Sequence, residues 1–86
     1  MTLKKLKKEI EKKGYKSFLR KNDNEEWIMS GIHDSETNLK FGSAFQIRIL
    51  ENKMLLSYLT GQSLVNVSFS SLSKLFEYIE NKFPIE

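Results

Sequence analysis

Residues 39–49 read Leu39-Lys40-Phe41-Gly42-Ser43-Ala44-Phe45-Gln46-Ile47-Arg48-Ile49, with Leu39, Phe41, Phe45, Ile47 and Ile49 at odd positions and Lys40, Gln46 and Arg48 at even ones. Side chains alternate across a pleated strand, so this spacing predicts a two-faced strand. Its odd set faces a core and its even set faces solvent or a partner. Gly42 within the run predicts a bulge, a twist or a close backbone approach.

Downstream, Glu51-Asn52-Lys53 turns the chain into Met54 to Thr60. Gly61-Gln62 turns it again into Leu64 to Phe69, where Val65, Val67 and Phe69 alternate with Asn66 and Ser68. Three strands then form a meander. Upstream, Tyr15 to Lys21, the turn cluster Asn22-Asp23-Asn24 and the run Trp27-Ile28-Met29 read as a hairpin. Gly31 marks a bulge or the strand end, and Asp34 to Asn38 is a polar connection.

A helix is expected at each end. Leu3, Leu6 and Ile10 recur at i, i+3 and i+7, with Thr2 as N-cap and Gly14 as stop. Leu72, Leu75, Phe76, Ile79 and Phe83 form a stronger stripe that starts after Ser70 or Ser71 and ends before Pro84. The expected fold is one domain over 1–86, of the two-layer α+β class: helix, antiparallel sheet of four to five strands, helix, with both helices on one face of the sheet. The second sheet face, carrying Lys40, Gln46, Arg48, Asn66 and Ser68, is left to solvent or a partner.

The 86 residues are 40% hydrophobic and 29% charged, the composition of an ordinary globular chain with room for one modest core. With no cysteine, disulfides, Cys-ligated zinc, iron–sulfur clusters and thiol nucleophiles are excluded. No apolar run approaches the roughly 20 residues that span a bilayer, and the basic N-terminus has no apolar region behind it, so a cytoplasmic location is expected. The Lys, Asn, Ile and Glu richness suits an A+T-rich coding genome, such as that of a low-GC bacterium or its phages.

Charge is polarised. Residues 1–21 carry nine Lys or Arg against two Glu, a net +7, whereas residues 22–86 carry five against nine acidic residues, a net −4. Twelve of the fourteen basic residues are Lys. A mobile point charge suits nonspecific attraction better than the planar reading of base edges that Arg performs. The exposed lysines of the first helix, Lys4, Lys5, Lys8 and Lys12, are the candidate phosphate contacts, although a Lys-rich helix also serves solubility alone. That helix has no aromatic residue and only three apolar anchors, which argues against a membrane surface.

No reaction is spelled out. His33, Asp34 and Glu36 crowd four positions, but a zinc site or a hydrolytic triad needs further convergent groups that the sequence does not supply. Glu25/Glu26 and Glu77/Glu80 read as solvated carboxylates. The four glycines are scattered singly, so no phosphate loop exists, and the RNA-binding signatures built on paired aromatics or a glycine-flanked loop are missing. Tyr15, Phe18, Trp27 and Tyr58 read as core or half-buried filler rather than a stacking platform, because aromatics bury large areas; a Trp27 exposed beside Arg20 and Arg48 would reverse that reading.

The expectation is a non-enzymatic module without metal or cofactor that binds a larger protein partner as regulator or inhibitor. Its contacts are drawn from Lys4, Lys5, Lys8, Lys12, Lys40, Gln46 and Arg48. In a low-GC bacterial or phage setting, a host nucleic-acid-handling or defence complex is a suitable target. The alternative is nucleic-acid binding through the first helix, and strand edges leave a homodimer open.

Overall fold

The computed structural model describes residues 2–35, 38–40 and 42–85. The element order is α1 (Leu3–Lys12), β1 (Lys16–Asn22), β2 (Glu25–Gly31), β3 (Phe45–Leu50), β4 (Lys53–Thr60), β5 (Ser63–Phe69) and α2 (Leu72–Lys82). The five strands form one sheet in the order β1-β2-β3-β4-β5, each antiparallel to its neighbour, so the fold is α+β with a simple meander.

Local chemistry sets the element ends. The Thr2 side chain accepts from the Lys5 amide at 3.3 Å and Ser71 accepts from Lys74 at 3.2 Å, each satisfying a helix-start donor that otherwise lacks a partner. Past α1 the chain reverses at Gly14, whose φ of +101° is costly for a residue with a Cβ. Three hairpins need only two residues each, between the closing pairs Asn22↔Glu25, Leu50↔Lys53 and Thr60↔Ser63. Short loops of this kind keep the register fixed.

Register decides the faces. Ile28 pairs with Ile47, Ile47 with Leu56 and Leu56 with Val67, giving one apolar row across four strands. Ile28, Ile47 and Leu56 are buried in a cluster that also takes Leu6 and Ile10 from α1 and Leu75, Phe76, Ile79 and Phe83 from α2. Burying a side chain of this size stabilises by about 1.5 to 3 kcal/mol before ordering entropy is subtracted, which is how two helices of ten and eleven residues are held. Tyr15 and Tyr58 belong to the same cluster, as expected of core aromatics.

The expected strand from Leu39 to Ile49 is shorter at its start. Regular pairing begins at Phe45; Leu39 forms only an isolated bridge with His33, Gly42 sits in a turn with φ +81°, and Phe41 lies outside the described residues. The reason is a competing local network. The Ser43 hydroxyl accepts from the Ile32 amide at 3.0 Å and donates to the Lys40 carbonyl at 2.6 Å, folding the segment back over the end of β2. Gly31 permits this approach, since a Cβ there would lie 3.1 Å from Leu39 Cδ1 and 3.2 Å from Ser43 Oγ. Gly31 is therefore a strand end under a close contact, not a bulge.

Candidate functional site

Residues that alternate with the core row occupy the other face of the sheet. On β1 they are Lys16, Phe18 and Arg20; on β2, Trp27 and Met29; on β3, Gln46, Arg48 and Leu50; on β4, Leu55, Ser57 and Leu59; on β5, Leu64, Asn66 and Ser68. In register, Phe18 faces Met29, Met29 faces Gln46, Gln46 faces Ser57 and Ser57 faces Asn66, while Arg20 faces Trp27 and Arg48 faces Leu55. None of these side chains belongs to the core cluster.

This face is more apolar and aromatic than the even-numbered positions suggested. Three leucines stand well into solvent on it: Leu50 at 52% exposure, Leu59 at 70% and Leu64 at 62%. Phe18, Trp27, Met29 and Leu55 on the same face are half-buried. Cations lie on the rings, with the Arg48 guanidinium 5.2 Å from the centre of the Trp27 ring and Arg20 and Lys16 at 5.4 and 5.7 Å from that of Phe18. Such contacts hold long basic side chains flat against the sheet and leave their outer edges available.

Arg48 links this face to the β1–β2 hairpin through Glu25, 3.8 Å away. Two donors here lack a partner: Trp27 Nε1 and Arg48 Nε are both shielded from solvent and unbonded. A shielded, unpaired N–H costs free energy that an incoming acceptor recovers. Near the centre, the Ser57 hydroxyl donates to Asn66 Oδ1 at 2.6 Å, which holds the amide of Asn66 in a fixed orientation.

The seven candidate residues separate into three places. Gln46 and Arg48 lie on this sheet face, as expected. Lys40 does not: it is in the segment before β3, where its amide donates to the Ile32 carbonyl at 2.7 Å. Lys4, Lys5, Lys8 and Lys12 fall within one arc of about 100° on α1, at 100° per residue, with Leu6 and Ile10 buried on another side of the same helix. Lys12 is paired with Glu9 at 3.3 Å, whereas Lys4, Lys5 and Lys8 are exposed and have no ion pair among the described residues. The helix lysines and the Trp27–Arg48 surface thus lie on separate layers and do not form one site.

Phe18 and Trp27 are half-buried, as expected of half-buried filler, whereas Met29 and Leu55 are residues of this face that the sequence did not single out. Trp27-Ile28-Met29 is an unbroken apolar run, so alternation gave no sign of its two faces; the register of Ile28 against Ile47 resolves it. Trp27 then lies directly across from Arg20 and under Arg48, half-buried on this face.

Of the carboxylates read as solvated pairs, Glu80 holds Lys13 at 3.4 Å and Glu25 holds Arg48 at 3.8 Å. Among the described residues no group of three or more His, Cys, Asp or Glu is placed to hold a metal ion; Glu36 lies outside them. No helix of the described residues is long and apolar enough to cross a membrane. No protein-family model, curated protein or solved structure matches this chain.

Proposed function

We propose that this chain is a small non-enzymatic binding module that docks on a larger protein through the sheet face carrying Phe18, Trp27, Met29, Arg48 and Leu55. The observation that carries this reading is the placement of Leu50, Leu59 and Leu64, all more than half exposed, on the same face as the single tryptophan. Leu55 faces Arg48 beside Trp27, and Leu59 faces Leu64 beyond the polar row Gln46–Ser57–Asn66; exposed apolar surface rimmed by polar groups is a mark of interaction sites. The composition also fits: Trp, Met, Phe and Arg are enriched in the buried centres of protein interfaces, where Lys and Glu are depleted.

The test is affinity capture from the source cell with three baits: wild type, Trp27→Ala, and a Lys4→Glu/Lys5→Glu/Lys8→Glu variant. The reading expects one protein retained by wild type and by the helix variant and lost with Trp27→Ala. Retention by Trp27→Ala overturns it.

A second reading, nucleic-acid contact through α1, is supported by the exposed and unpaired Lys4, Lys5 and Lys8. It expects binding to DNA or RNA that weakens steeply between about 50 and about 200 mM salt and is abolished in the helix variant.

A further inference from the structure

The two margins of the sheet are built differently. β1 carries Lys16, Arg20 and Lys21, the kind of charged side chains with which natural sheets discourage edge pairing. β5 reads Ser63-Leu64-Val65-Asn66-Val67-Ser68-Phe69, with no charge, no proline and no glycine in seven residues. It is also regular: pairing with β4 runs unbroken from Met54↔Phe69 to Thr60↔Ser63, so no bulge twists the edge away. Among the described residues, the main-chain hydrogen bonds made outside the ladders reach none of residues 63–69. The outer row of β5 N–H and C=O groups is thus a template roughly 20 Å long, at about 3.3 Å per residue.

We infer that β5 pairs antiparallel with β5 of a second copy of this chain, about a two-fold axis at Asn66, joining two five-stranded sheets into one. The sequence of the strand selects this occupant. Pairing about Asn66 sets Asn66 against itself, Val65 against Val67, Leu64 against Ser68 and Ser63 against Phe69. A two-fold contact brings each surface against its own image, so a charged edge meets like charge, whereas this strand brings none. Val65, Val67 and Phe69, half-buried beside the core, extend the apolar face across the junction, and Leu64 gains cover.

A groove of about 400 Å³ runs between the end of β5 and α2, lined by Phe69, Lys74, Glu77 and Tyr78 among others. The dimer covers Leu64 of the face assigned to a protein partner and leaves Trp27, on β2, and Arg48, on β3, outside the strand pairing.

Sedimentation equilibrium of the full chain from about 5 to about 500 μM tests the inference, because a dimer responds to concentration by mass action. The expected result is a mass rising from 10.1 kDa toward twice that value. Asn66→Lys, which sets an ammonium against its own image, is expected to weaken dimerisation at least tenfold while far-UV circular dichroism is unchanged, and Ser68→Lys acts in the same direction. A wild type that stays at monomer mass overturns the inference and leaves the edge to a strand of a different protein; equal dimerisation in Asn66→Lys overturns it in favour of another surface. Since Asn66 also accepts from Ser57, hydrogen exchange of the unmodified chain gives a second reading: β5 amides gain protection with concentration and β1 amides do not. Protection of β5 that is independent of concentration overturns the inference.

Discussion

The hydroxyl of Tyr15 donates a hydrogen bond to the main-chain carbonyl of Phe83, 68 positions further along the chain. The same ring meets Phe45 edge-on at 5.8 Å, and Phe45 stacks on Phe83 at 5.0 Å. Phe83 closes α2 with a backbone that has left the helical region, and its carbonyl is then satisfied by the phenol. One side chain therefore ties the exit of α1 to the end of α2 and to β3.

Tyr15→Phe keeps the ring contacts and removes only the hydrogen bond. It leaves a shielded carbonyl without a donor, a loss expected to cost about 1 to 3 kcal/mol. Urea titration is expected to show a lower midpoint with an unchanged slope, since the surface exposed on unfolding stays the same. An unaltered midpoint shows that the tie between the chain ends contributes nothing net.

High pH addresses a second pair. The hydroxyls of Tyr58 and Tyr78 lie 2.7 Å apart, and the Tyr78 phenol is pushed up to about 12, first by this hydrogen bond, then by burial and by the proximity of Tyr58. Tyr15 is displaced in the same direction by burial and by the Glu80 carboxylate. A phenol that ionises later in the folded chain than at its ordinary value near 10 stabilises fully below pH 10 and loses that contribution as pH rises toward 12. Urea midpoints are expected to be level from about pH 7 to about pH 9.5 and to fall above pH 10. Tyr78→Phe is expected to lower stability at neutral pH and to flatten the alkaline fall; a fall of the same steepness places the linkage on other groups.

Two positions of β3 on opposite faces test the assignment of faces. Ile47 is fully buried between Ile28 and Leu56, whereas Leu50 is 52% exposed. Ile47→Ala is expected to cost about 2 to 5 kcal/mol through lost transfer energy and the cavity left behind. Leu50→Ala is expected to fall within about 0.5 kcal/mol of wild type. Equal losses at the two sites contradict the assigned parity.

Where one physical signal dominated, the fold was legible. Phe45, Ile47 and Ile49 alternate with Gln46 and Arg48, and the α2 stripe of Leu75, Phe76, Ile79 and Phe83 has helical spacing; both patterns are direct consequences of burial on one side. The reading failed where local and long-range demands competed. Leu39 and Lys40 have the polarity of strand residues, but Ser43 bonds back to Ile32 and Lys40 and ends the regular ladder before them. The exposure of Lys4, Lys5 and Lys8 followed from a narrow apolar stripe. The aromatic half of the sheet surface did not, because a strand apolar on both sides, as at Trp27-Ile28-Met29, carries no alternation from which to read direction.

Trp27 and Arg48 provide the test of the surface itself. Neither belongs to the core cluster, so Trp27→Ala is expected to lower affinity for the captured protein by about 2 kcal/mol or more, the scale of a central interface residue, with the fold retained. Arg48→Ala removes the guanidinium from the ring and leaves Glu25 without its partner, so the two substitutions act on one unit. Their combined effect is expected to depart from the sum of the single effects by about 0.5 to 3 kcal/mol. Because Trp27 is the sole tryptophan, its emission reports this face without a label, and addition of the partner is expected to shift it. The lysine variant of α1 is expected to alter the association rate and its salt dependence while leaving the dissociation rate near that of wild type, as charges outside a contact do. A dissociation rate raised by the lysine changes and untouched by Trp27→Ala moves the contact surface to the helix layer.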